Sequence, residues 1–243
     1  MHRLSATELL DVWEQGWARS SSGRALVLLD AACPEAPGEA AQWTIGERDA
    51  RLLTLREWIF GEEVTAVSAC PECGGTQELA FRTPDVRLAN AGPPCVPLLL
   101  EREGVSVEFR LPDSTDLIAA ENETDGEAAR KTLLTRCVTA AWRGGIEVGA
   151  DELDPDIVQA VSRRMSEADP QAEIEFPLEC AECHARWNEI FDIASFLWTE
   201  IQGWATRLLN EVHRLAAAYG WREADILAMS AMRRSIYLNL IAD

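Results

Sequence analysis

Four of the seven cysteines stand in two C-x-x-C pairs, Cys70 with Cys73 and Cys180 with Cys183, and about a hundred residues separate the pairs. Two cysteines spaced this way turn a knuckle that aims both sulfurs at one ion, and two knuckles complete a tetrahedral site. If both knuckles share an ion, positions far apart in the chain must be neighbours in space. The paired spacing reads as metal binding before disulfides in a reducing compartment. Four thiolates leave no coordination position for water, so the pattern predicts a closed, structural Zn(II) held by Cys70, Cys73, Cys180 and Cys183. Common ribbons separate their knuckles by about 15 to 20 residues, so this one would be split by a long insertion. Two other readings compete. A thioredoxin-like redox pair at Cys70 and Cys73 would need a strand feeding a helix, whereas the flanks look like hairpin strands. Buried thiols without metal are the other. His184 follows the second pair and reads as a surface or supporting residue, while Cys33, Cys95 and Cys137 read as packing thiols.

The segments around the knuckles alternate as strands do. A β segment at Val64–Ser68 precedes the first pair, and Leu79 and Phe81 alternate with Glu78 and Arg82 after it. Ile174, Phe176 and Leu178 alternate with Glu173, Glu175 and Glu179 before the second. Gly74 allows a positive φ directly after Cys73.

Upstream, Ser5 and Glu8 form a capping box with Leu4 and Leu9 as a staple, predicting a helix over about Ala6–Ala18 with Leu10, Trp13 and Trp17 on one face. Ser20–Gly23 reads as a polar break, and Ala25–Leu29 is apolar without a period. After a loop from Cys33 to Trp43, Thr44 and Glu47 open a helix whose Leu52, Leu55 and Ile59 share a face and which Gly61 ends. Between the pairs, Val105, Val107 and Phe109 predict a strand stopping at Pro112. Asp125 can cap a helix carrying Leu133, Leu134, Cys137 and Val138, and Asp154-Pro155 and Asp169-Pro170 bracket another.

Beyond Cys183, Trp198, Ile201, Ala205, Leu208, Val212, Leu215 and Tyr219 form an a/d seam that Gly220 ends. It suits packing against this chain's own helices, or docking of a partner helix or second copy. Two shorter helices follow, over Trp221–Met229 and from about Ala231, the second presenting Ile236, Leu240 and Ile241. The expected architecture is α+β, mostly helical with a small split four-cysteine zinc-ribbon β module and a helical C-terminal region. Residues 1–62 would form an N-terminal helical region, 63–84 with 172–191 the ribbon, 85–171 an inserted α/β subdomain, and 192–243 the C-terminal helices.

Charge excludes several function classes. Lys+Arg 22 against Asp+Glu 41 gives a net charge of −19, which repels phosphate backbones and anionic membranes. The ribbon is itself acidic, since Glu173, Glu175, Glu179, Glu182, Glu189 and Asp192 surround the single Arg186. A zinc-ribbon regulator bound to nucleic acid would need basic residues there. Arg233-Arg234 could meet a phosphate, but Glu223 and Asp225 lie close by. No apolar stretch approaches the roughly 18 to 20 residues of a membrane span, and Met1–Leu10 lacks the apolar core of a secretory signal, so a soluble, cytoplasmic protein is expected. His2, His184 and His213 are the only histidines, and none lies in an H-E-x-x-H helix or near a G-x-S-x-G turn. No Gly-rich phosphate loop with its lysine is present either. The expectation is a non-enzymatic protein.

Several stretches, taken in order, resemble one family. They are Ile45-Gly46-Glu47-Arg48-Asp49 with Leu52, Leu53, Leu55 and Arg56; Phe60-Gly61 before Cys70-Pro71-Glu72-Cys73-Gly74; and Leu111-Pro112 with Asp116-Leu117. They continue with Cys180 and Cys183 followed by Trp187 and Phe191-Asp192, then Glu211-Val212-His213, Tyr219-Gly220-Trp221, Arg233-Arg234 and Tyr237-Leu238. From about Thr44 onward the chain resembles the baseplate hub assembly chaperones related to T4-type phage baseplate proteins, found in phages and phage-tail-like contractile injection systems. The resemblance implies a non-enzymatic chaperone or adaptor whose partners are baseplate hub or spike-proximal proteins, with a built-in baseplate subunit as the alternative and self-association open. It implies partner contacts from the Gly46–Arg56 segment and the C-terminal helices, at Arg48, Asp49, Arg56, Trp204, His213, Trp221, Arg233 and Arg234.

Overall fold

A computed structural model describes residues 1–88 and 97–242. It is an α+β protein, mainly helical with small antiparallel sheets. Helix α1 (Ala6–Gly16) carries the expected capping box between Ser5 and Glu8, and Leu4 and Leu9 are buried in the same core. It stops short of the predicted end. Trp17 is 59% exposed, edge-on to Trp13, and does not join the apolar face.

The serine run that reads as a break instead starts α2 (Ser21–Ala32), because the Ser20 hydroxyl accepts from the Gly23 N–H and serves as N-cap. Helix α3 (Ile45–Phe60) opens on the Thr44/Glu47 box and ends at Gly61, where φ is 92°. Its N-terminus has a second anion. Asp169, far along the chain, accepts from the Gly46 N–H at 2.8 Å, which places a carboxylate at the positive end of the helix dipole. A Cβ at position 46 would lie 1.9 Å from Asp169 Oδ1, so glycine is required there by close approach. Gly46→Ala is expected to lose that cap and cost about 1–2 kcal/mol in chemical denaturation.

Strands β1 (Glu63–Ala69) and β2 (Thr76–Arg82) pair in register from Glu63↔Arg82 to Ala69↔Thr76, with the first knuckle as their turn. The short helix α4 (Thr83–Val86) follows. A four-stranded sheet in the order β3-β4-β5-β6 comes next: β3 (Leu98–Arg102), β4 (Val105–Phe109), β5 (Val138–Arg143) and β6 (Ile146–Glu147). Between β4 and β5 lie α5 (Ser114–Glu121), capped by Asp113, and α6 (Gly126–Cys137), capped by Asp125. Val138, read as part of α6, begins β5 instead.

Helix α7 (Pro155–Ala168) packs Ile157 and Val161 onto Val105, Val107, Phe109 and Ala141 in a core of its own. Asp116 ties α5 to Arg110, just after β4, and to Arg136 of α6. It accepts from Arg110 at 2.5 and 2.9 Å and from Arg136 at 2.8 Å, and these partners outweigh its burial and hold it at about 2. Cys137, beside it, is buried and its thiol is pushed up to about 12 by desolvation and then by Asp116. Cys33 is buried as well; Cys95 lies outside the described residues.

The second knuckle turns between β7 (Glu175–Glu179) and β8 (Arg186–Ile190). Helix α8 (Ile193–Tyr219) then runs through the molecule, followed by α9 (Glu223–Leu227) and α10 (Ala231–Ala242). The main core gathers Leu9, Leu28, Leu29, Leu52, Leu53, Val64, Leu197 and Ile201 from α1, α2, α3, β1 and α8. The seam residues Trp198 through Leu215 are buried against this chain's own α1, α9 and α10, so the docking reading of the seam is withdrawn; Tyr219 alone is exposed. Among the described residues, no helix is long and apolar enough to cross a membrane.

Candidate metal centre

The two knuckles are local copies of one another. In the first, the Cys70 N–H donates to the Gly75 carbonyl at 2.9 Å and the Gly74 N–H donates to the Cys70 carbonyl at 2.9 Å. In the second, Cys180 and Ala185 form the same bond at 2.9 Å, as do His184 and Cys180 at 3.0 Å. The left-handed position is Gly74 in one, with φ 73°, and His184 in the other, with φ 59°. A side chain in this region costs about 1 kcal/mol relative to glycine. His184→Gly should therefore stabilise the fold by up to about 1 kcal/mol without changing metal content, as denaturation and metal analysis would measure.

The hairpins face each other through the inward side chains of their alternating strands. The Ser68 hydroxyl donates to Glu189 at 2.7 Å, and the Ala181 N–H donates to the side-chain Oε1 of Gln77 at 3.3 Å. At their base Phe81 lies 4.7 Å from Phe176 and 5.0 Å from Phe191, which carries the pair into the helical core. This packing sets the knuckles tip to tip. Cys70 Sγ and Cys183 Sγ are 3.6 Å apart, as are Cys73 Sγ and Cys180 Sγ, and all four sulfurs lie within 4.8 Å of one another. Cys70 and Cys180 are buried; Cys73 and Cys183 are exposed.

Four sulfurs bound about 2.3 Å from one ion sit about 3.8 Å from each other, so this cluster matches a tetrahedral four-thiolate site. The backbone supports thiolates. The Gly75 N–H donates to Cys73 Sγ at 3.4 Å and the Glu182 N–H to Cys180 Sγ at 3.4 Å. The Cys180 thiol is lowered to about 7, chiefly by the N–H groups of Cys183 and Glu182. At Cys73 the Gly75 N–H lowers the pKa, but the sulfurs of Cys183 and Cys180 push it up to about 12. Four crowded sulfurs resist full ionisation until a cation joins them. His184 is exposed and 3.5 Å from Glu179, outside the sulfur set.

The residues expected to meet partners divide by burial. Arg48 and Asp49 form a buried pair at 2.7 Å. Burial pushes the Asp49 carboxyl up to about 6 against the pull of Arg48. Arg56 is buried too, donating to Glu200 at 3.0 and 2.8 Å and to the Gly61 carbonyl at 2.8 Å. Arg234 donates to Glu211 at 2.8 Å and to the Met229 carbonyl at 2.7 Å. All four of these side chains are buried and bonded to groups of their own chain. Trp204 is half-buried among core residues, and Trp221 is half-buried in a stack on Tyr219 at 4.4 Å. His213 and Arg233 are exposed.

Neither the curated proteins nor the solved structures include a match to this chain. The model of the family described as "T4 bacteriophage base plate protein" matches residues 25–198, a span that runs from α2 through both knuckles into α8. Covering well over half of the sequence, that match places this chain in the T4 bacteriophage base plate protein family.

Proposed function

We propose that this chain is a non-enzymatic assembly factor, a chaperone or adaptor, for the baseplate hub of a contractile phage tail-like particle, working in the cytoplasm with a structural Zn(II) on Cys70, Cys73, Cys180 and Cys183. The observation that carries the reading is the family match itself, which spans both knuckles and the whole segment between them. A structural metal role is supported by the donor set, in which four sulfurs close the coordination sphere. The partners are hub or spike-proximal proteins, and a surface of net charge −19 keeps a transient escort from phosphate backbones and screens wrong partners by like charge. Arg186, the basic residue of the second hairpin, is held by Glu179 at 2.8 Å, which argues against a nucleic-acid role.

Co-expression with baseplate hub and spike-proximal proteins of the same genome, followed by affinity purification and mass spectrometry of finished particles, tests the proposal. The expected result is a complex with hub components and loss of the chain from finished particles. Stoichiometric retention there would replace the escort with a built-in subunit, and no complex at all would remove the assembly role.

A further inference from the structure

Helix α10 shows solvent a face that nothing among the described residues covers. Its inward side is made by Arg234 and Leu238, with Tyr237 and Ile241 half-buried against α8 and α9. On the opposite side Met232, Ile236 and Leu240 are 76%, 55% and 62% exposed. Spaced four residues apart, they form a single i±4n ridge running the length of the helix. The parallel row beside it is Ala231, Ser235 and Asn239, all smaller and all exposed. One face thus carries both a ridge of large apolar side chains and a groove that would receive such a ridge.

We infer that this face pairs with the same face of a second copy of the chain. Ridge and groove are related by the symmetry that an isologous contact demands: with a two-fold axis at Ile236, Met232 of one copy meets Leu240 of the other and Ile236 meets Ile236. Interdigitated i±4n ridges are the commonest helix packing, crossing near −50°. The charges agree with this occupant. Residues Ala231–Ala242 contain no Asp or Glu in a chain of net charge −19, so α10 itself sets no acidic side chain of one copy against an acidic side chain of the other. The same axis brings exposed Arg233 opposite Asn239, beside the C-terminal carbonyls of the other α10, where a cation is favoured.

A contact of one helix per copy falls short of the about 1,200 Å² of a stable dimer, so the association is weak and reversible. Repulsion between the remaining acidic surfaces opposes it, so added salt strengthens it, the reverse of pairing through opposite charges. This inference does not depend on the assembly role. The face also lies beyond the family-matched span, which ends at residue 198.

Sedimentation velocity of the full-length, metal-loaded protein from about 1 to about 200 µM tests it, at about 0.05 M and about 0.5 M salt. The expected result is a concentration-dependent rise in sedimentation coefficient, shifted to lower concentration at high salt. Ile236→Asp should weaken association at least about tenfold, and Met232→Ser should weaken it to a lesser degree. Val67→Asp, at an equally exposed apolar position on the first hairpin, should leave it unchanged. A monomer at every concentration overturns the inference. So does self-association that Ile236→Asp leaves intact, or that salt weakens.

Discussion

Chelating the metal from Zn(II)-loaded protein is expected to lower its Tm by roughly 10–20 °C. The sulfur pairs joined across the centre are 113 and 107 residues apart. Closing a loop of about 100 residues removes about 4–5 kcal/mol of unfolded-chain entropy in the cross-link model, and each kcal/mol moves the Tm of a chain this size by about 2–4 °C. Most of the helical circular dichroism should survive, because the main core is built from α1, α2, α3 and α8 and does not depend on the knuckle tips. Cys180→Ser should reproduce the loss, and chelator should then have no further effect. Metal analysis must give one zinc per native chain. An unchanged Tm, or a reversible dithiol at Cys70 and Cys73 with no zinc bound, would leave the centre without its structural role.

The second large effect is expected from Asp49. Removing its carboxylate by Asp49→Ala leaves the Arg48 guanidinium buried with no counter-charge, and its Nη1 already lacks a hydrogen-bond partner. Breaking one side of a buried pair costs about 3–5 kcal/mol, or a Tm fall of roughly 10 °C. Replacing both residues with apolar ones of similar volume should recover most of that loss, which distinguishes the orphaned charge from simple loss of packing. The residue also gives a pH signature. Its carboxyl is raised from 3.8 to about 6 by burial, so between those values the folded chain holds a proton that the unfolded chain releases. Its contribution to stability is therefore largest below about pH 4 and declines as pH rises through about 6. Asp49→Asn should flatten that slope in denaturation midpoints measured across the interval.

The sulfur cluster was legible in the sequence because its chemistry demands fixed residue types at fixed spacing, which an insertion of any length leaves untouched. The capping boxes at Ser5 and Thr44 were legible for the same reason. Elsewhere, one residue type served two purposes. Ser20 can break a chain or cap a helix, and here it caps. The short apolar run of β3 lacks the alternation that revealed β4, and α5 is an eight-residue helix hidden directly behind Pro112. The burial of Arg56 and Arg234 was not legible, because charged side chains are rarely buried unless paired and their partners, Glu200 and Glu211, lie on another helix.

Neither hairpin owns the centre; each supplies two sulfurs. A ribosome that has synthesised only the first 179 residues has therefore made half of a binding site. The α1, α2 and α3 segments can begin to collapse as they emerge, whereas the clamp must wait for the last ligand at Cys183. Any chain cut short of that residue, by a premature stop or a protease, carries an open pair of thiols in place of a closed cage. Capture of a metal by this cluster would thus certify that translation has passed the full length of the intervening segment.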